Sequence, residues 1–172
     1  MQRLALASVL LAGLAAGALG FGRPAPAGPP WISIEYPPSP YDQETRDAFL
    51  LVHAFHHGTP SSFPVSGTAE GIVRGQRRSV RLDFGTTSRV GTYALRRQWP
   101  TEGTWTLVIS VAQAPEDLAT AVVELGTDGR VASVRVPTEA RRGWEVPAAR
   151  GATMREVDAS LRARAGALAR TP

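Results

Sequence analysis

Gly91-Thr-Tyr-Ala-Leu-Arg-Arg-Gln-Trp-Pro-Thr-Glu-Gly-Thr-Trp-Thr-Leu-Val-Ile-Ser-Val111 alternates apolar and polar residues twice, on either side of a short Pro/Gly turn. A repeat of two is that of a strand with one buried face, so the stretch reads as a β-hairpin. Tyr93, Leu95 and Arg97 would share one face of its first strand. Trp105, Leu107, Ile109 and Val111 would share one face of its second, with Thr104, Thr106 and Ser110 turned away.

The same pattern runs outward in both directions. Between Trp31 and Pro137 eight candidate strands are separated by turn residues, at roughly 31–36, 48–56, 65–73, 77–84, 90–99, 103–112, 118–125 and 130–136. Arg74-Gly75-Gln76 and Gly126-Thr127-Asp128-Gly129 read as tight hairpin connections. On the fourth strand Val80, Leu82 and Phe84 fall on the core side, and Arg77, Ser79, Arg81 and Asp83 on the solvent side. The fold class expected is all-β: an antiparallel sandwich of seven or eight strands over residues 31–140, followed by a C-terminal α-helix.

Val90-Gly-Thr-Tyr-Ala-Leu95 resembles the Gly-x-Tyr-x-apolar signature of immunoglobulin-like strands, and Leu95 stands where antibody domains carry their second cysteine. The order Pro64-Val-Ser-Gly-Thr-Ala69, Gly-Thr-Tyr-Ala-Leu95, Gly103-Thr-Trp-Thr-Leu107 is similar to the YtkA-like and carboxypeptidase-regulatory-like sandwiches of exported bacterial proteins. The resemblance spans about residues 64–111. It implies a disulfide-free immunoglobulin-like module in which the tyrosine hydroxyl bonds back to the backbone, and it implies no catalytic residue.

Met1-Gln2-Arg3 and the apolar run Leu4–Leu19 have the form of an export signal, cleaved after Ala18 or Gly20. The run falls short of the roughly 20 residues a membrane span needs, so no span is expected after cleavage, and the mature chain is expected in the periplasm or outside the cell. Residues 21–30 form a Pro/Gly/Ala spacer. The chain has no cysteine, so its stability must come from packing. Its 19 basic residues are all arginine. Residues 21–140 hold 11 arginines against 12 acids, and residues 141–172 hold 7 against 3, so the basic character belongs to the tail. Arg77-Arg78 and Arg96-Arg97 lie among Glu70, Asp83 and Glu102, a pattern of solvated strand faces that argues against nucleic acid as a partner.

The three histidines, His53, His56 and His57, cluster at the end of the second candidate strand, and imidazole is a ligand for copper and other divalent metals. On one strand His53 and His57 would be about 13 Å apart and His56 would point the other way. A shared metal therefore needs His56 and His57 to leave the strand together, or Glu35 or Asp42 to close the site. The alternative is that the imidazoles pack and cap. No nucleophile elbow, zinc-protease pair, phosphate loop or dinucleotide fingerprint occurs, so a non-enzyme with no bound cofactor is expected.

Thr153-Met-Arg-Glu156 has capping-box spacing and predicts a helix over 153–169. Met154, Val157, Leu161, Ala165 and Leu168 make a narrow apolar stripe, with Arg155, Arg162 and Arg164 around it. Such a helix either docks on its own sandwich or offers Arg155, Leu161, Arg162 and Arg164 to a protein or envelope partner, including an anionic membrane surface. Together these features describe an exported binding or accessory module, with periplasmic metal handling through the histidines as the alternative.

Overall fold

The computed structural model describes residues 28–141 and 143–168, so the expected signal segment, most of the spacer and position 169 lie outside the described residues. The chain is an all-β antiparallel sandwich with one C-terminal helix. The strands are β1 (Trp31–Glu35), β2 (Leu50–His56), β3 (Thr59–Pro60), β4 (Val65–Val73), β5 (Gln76–Arg81), β6 (Phe84–Thr86), β7 (Thr92–Leu95), β8 (Thr104–Ala114), β9 (Asp117–Leu125), β10 (Val131–Arg135), β11 (Thr138–Arg141) and β12 (Trp144–Pro147). The helix is α1 (Met154–Leu168). One sheet runs β1-β2-β7-β6 with β3 added at the end of β2; the other runs β10-β9-β8-β4-β5. β11 and β12 pair only with each other. The strands outnumber the seven or eight expected because short pieces such as β3, β11 and β12 show no alternation long enough to read.

The stretch 91–111 is not a hairpin. β7 belongs to the first sheet and β8 to the second, and residues 96–103 carry the chain between them. Leu95 therefore meets Trp105, Leu107, Ile109 and Val111 through the core, and these residues are all buried. Alternation identifies the buried face of a strand, but it is the same for two strands side by side and two strands face to face. Arg97 lies beyond the end of β7. Its guanidinium stands 5.3 Å from the ring centres of Phe49 and Trp99 and donates to the Gly129 carbonyl at 2.7 Å.

The fourth candidate strand likewise divides, into β5 in the second sheet and β6 in the first. Val80, Leu82 and Phe84 keep their inward alternation across the break. At the break the Gln98 side chain takes the place of a neighbouring strand: its Oε1 accepts from the Asp83 N–H at 2.9 Å and its Nε2 donates to the Asp83 carbonyl at 2.7 Å.

The hairpins follow turn chemistry. Arg74-Gly75 and His57-Gly58 both place two consecutive residues at positive φ, the turn whose twist suits adjoining antiparallel strands. Gly71 has a different reason to be glycine. It lies opposite Trp105 on β8, and a Cβ there would come 2.4 Å from the indole, whose Nε1 donates to the Glu102 carbonyl at 2.8 Å. Tyr93 donates its hydroxyl to the Phe63 carbonyl at 2.6 Å, tying β7 to the segment that enters β4.

Leu107 is fully buried at the middle of β8. Leu107→Ala is expected to lower unfolding free energy by about 2–5 kcal/mol, as cavity-forming substitutions do, read as a lower Tm and urea midpoint. An unchanged midpoint would overturn the assignment of this face to the core.

Candidate functional site

Pairing register decides what each histidine can do. Ser33, His53 and Thr92 form one outward row across β1, β2 and β7, and Trp31, Phe55 and Pro60 form the next across β1, β2 and β3. His53 Nε2 lies 2.9 Å from Glu35 Oε2, and its Nδ1 lies 3.3 Å from Thr92 Oγ1. Because a carboxylate only accepts, Nε2 donates to Glu35, and in the neutral ring Nδ1 then accepts from the Thr92 hydroxyl. Both ring nitrogens of His53 are thereby engaged.

His56 faces the core side at the strand end, with its ring 5.9 Å from Phe63. His57 occupies the β2–β3 turn at φ 50°, a left-handed conformation that swings its ring to within 4.3 Å of His56 between centres. His56 Nε2 is buried without a hydrogen-bond partner among the described residues. The cluster of three thus separates into a pair, His56 and His57, and a lone His53 on the outer face. Among the described residues no three His, Asp or Glu side chains come together as a metal-ligand group.

The outer face of the first sheet carries a groove beside His53. His53, Phe55, Pro60, Arg89, Val90, Gly91 and Thr92 line a shallow groove. Trp31 beside it is 58 % exposed and Val90 61 % exposed. The rim is held from outside: Arg89 pairs with Asp42 at 3.1 Å, and the Glu44 carboxylate accepts from the Ser88 amide and hydroxyl, both at 2.7 Å. The Thr45 hydroxyl donates to Asp42 and holds its carboxyl below the usual range. Trp31, Phe55, Arg89 and Val90 were missed as site residues from sequence. Their signal was two aromatics at positions that alternation turns to solvent, Trp31 and Phe55, which only the β1–β2 register makes neighbours.

The tail helix docks on its own sandwich. Val157, Ser160 and Leu161 are buried. The Ser160 and Thr106 hydroxyls bond at 2.8 Å, Arg164 donates to the Leu125 carbonyl at 2.6 Å, and Arg77 pairs with Asp158. Leu161, expected to face a partner, is 1 % exposed, and Arg164 is spent within the chain, whereas Arg155 and Arg162 remain exposed. Met154, placed in the apolar stripe from sequence, is 62 % exposed. The outer face of the second sheet is studded with hydroxyls and charges, so the helix docks through a mixed polar and apolar face. No helix among the described residues is long and apolar enough to cross a membrane.

The capping box forms as the spacing implies. Glu156 accepts from the Thr153 N–H at 2.6 Å, its own N–H donates to Thr153 Oγ1 at 3.3 Å, and Arg150 grips its carboxylate at 2.9 and 3.0 Å. Arg150 foremost, helped by Thr153, lowers the Glu156 pKa to about 2. No family model, no curated protein and no solved structure matches the chain. The fold and the site define an all-β sandwich with a helix docked on part of one outer face and a groove at one end of the other.

Glu156→Gln keeps a capping-box acceptor but loses the charge paired with Arg150, and is expected to cost up to about 1 kcal/mol at pH 7. Because the folded-state pKa lies below the ordinary 4.5, the contribution of the carboxylate is present above about pH 4.5 and is lost as pH falls toward 2. The Tm gap between the two proteins should therefore close over that interval. A gap that persists undiminished at pH 2 would contradict the assignment.

Proposed function

We propose that this chain is an exported, non-catalytic binding or accessory module, an immunoglobulin-like sandwich acting in the periplasm or outside the cell. Its ligand surface is the outer face of the first sheet. The observation that carries the reading is the solvent-facing aromatic and apolar row through Trp31 and Phe55, beside charged groups already fixed by internal bonds. α1 covers part of the second sheet's outer face, and on the first sheet the outer face is open, among the described residues, at the Trp31 and Val90 end. Binding fits the surface better than catalysis, because Thr92, the one hydroxyl bonded to His53 among the described residues, is 6 % exposed and offers no approach to a substrate. The partner is a component of the cell envelope or a protein within it.

Chemical-shift mapping of the folded chain against solubilised envelope fractions tests this. The largest shifts should fall at Trp31, Phe55, Val90 and Thr92, and Trp31→Ala should remove them with an unchanged Tm. Shifts confined to the opposite, helix-covered face would overturn the reading.

A second reading, periplasmic metal handling, rests on the approach of the His56 and His57 rings. On this reading one Cu(II) or another divalent ion binds per chain, and either His56→Ala or His57→Ala abolishes binding while His53→Ala preserves it. Imidazole resonances unmoved by copper would remove it.

A further inference from the structure

We propose that the open face of the first sheet binds a neutral polyhydroxylated ring, a pyranose glycan, stacked on Trp31 and Phe55. The inference rests on the binding-module reading and names the ligand class for the same face.

Trp31 and Phe55 are directly opposed residues of adjacent strands, and Phe55 is opposed on its other side by Pro60. Such partners lie about 5 Å apart, so the register places three apolar residues in one row across about 10 Å, near the span of a disaccharide. The polar row lies one step along the strands, roughly 7 Å away, which places hydrogen-bonding groups beside the apolar row and not within it. A pyranose has this same division, with C–H bonds over its faces and hydroxyls around its edge.

The polar groups beside the apolar row have unused capacity. Ser33 is exposed, and its hydroxyl has no hydrogen-bond partner among the described residues. Glu35 spends Oε2 on His53 and keeps Oε1 for another donor. Arg89, half exposed, spends one amino group on Asp42 and keeps further N–H donors. Both charged side chains are already oriented by those internal bonds, so a ligand would not have to order them. A wholly apolar ligand would strip water from Glu35 and Arg89 without replacing their hydrogen bonds. A polyanion would meet the Glu35 carboxylate. A ring bearing hydroxyls satisfies donor and acceptor alike.

The test titrates the full chain, labelled with nitrogen-15, with chitotetraose, cellotetraose and maltotetraose to about 10 mM, where even millimolar complexes register. Binding to insoluble peptidoglycan is followed in parallel by co-sedimentation, which separates a cell-wall glycan from a free oligosaccharide. At least one sugar should shift the Trp31 indole and the Phe55, Ser33 and Thr92 amides. Trp31→Ala should weaken binding tenfold or more, and Glu35→Gln or Ser33→Ala severalfold, each with its Tm within a degree or two of the parent. No shift with any sugar and no sedimentation overturns the proposal, as does binding that Trp31→Ala leaves intact. Shifts at Trp31 produced by a proline-rich decapeptide but by no sugar overturn the glycan assignment and leave the binding-module reading standing. Loss of both responses overturns the two together.

Discussion

The pleat of β8 is the constraint on which the rest of the molecule depends. This strand lies at the centre of the second sheet, paired to β4 on one side and β9 on the other. Its odd-numbered residues, Trp105, Leu107, Ile109 and Val111, fill the space between the sheets. Its even-numbered residues point the opposite way, and one of them, Thr106, receives Ser160 of α1. Slipping β8 by one residue would exchange these rows, placing hydroxyls in the core and an indole under the helix. The core and the helix dock therefore stand on a single register, and Gly71 leaves the room for Trp105 that the register demands.

The two outer faces have opposite fates for a related reason. On the second sheet, polar residues face out, and α1 covers them with a matched set: hydroxyl to hydroxyl, Arg77 to Asp158, Arg164 to a backbone carbonyl. A helix docked through such contacts must bring complementary groups to fixed places, which explains why Met154 was left outside and Ser160 taken in. On the first sheet, the segment between β1 and β2 pins the rim through Asp42 and Glu44 but leaves Trp31 and Val90 in solvent. That sheet is therefore covered at the Leu51 end and exposed at the Trp31 end.

Much of this was legible in the residues alone, and what was not has a physical reason. The strand at 65–73, the inward positions Val80, Leu82 and Phe84, the inward row of β8, the turn at Arg74-Gly75 and the capping box all follow from local alternation or local turn chemistry, and all are in the structure. Sheet membership was not legible. The chain leaves one sheet for the other at 82–83 and again at 96–103, and the side chain that joins the first break, Gln98, is supplied from the second. Nothing in the period of Arg77–Phe84 signals that its last residue pairs elsewhere. The docking face of α1 was illegible for a similar reason, since Thr106 looks like any solvent-facing threonine until the helix arrives.

The histidines show the same lesson at the level of a site. Nearness in sequence made His53, His56 and His57 the obvious constellation, yet a strand sends neighbours to opposite faces, and the left-handed turn at His57 reunites only two of them. The constellation that does assemble draws on Trp31, Glu35, Phe55 and Arg89, from β1, from β2 and from the loop before β7. On a β-sheet, proximity runs across strands at about 5 Å per step, whereas along a strand the next residue on the same face is about 7 Å away. Neighbours on such a fold are therefore written in the pairing of distant segments, as the His53–Glu35 contact, 18 residues apart in sequence, illustrates.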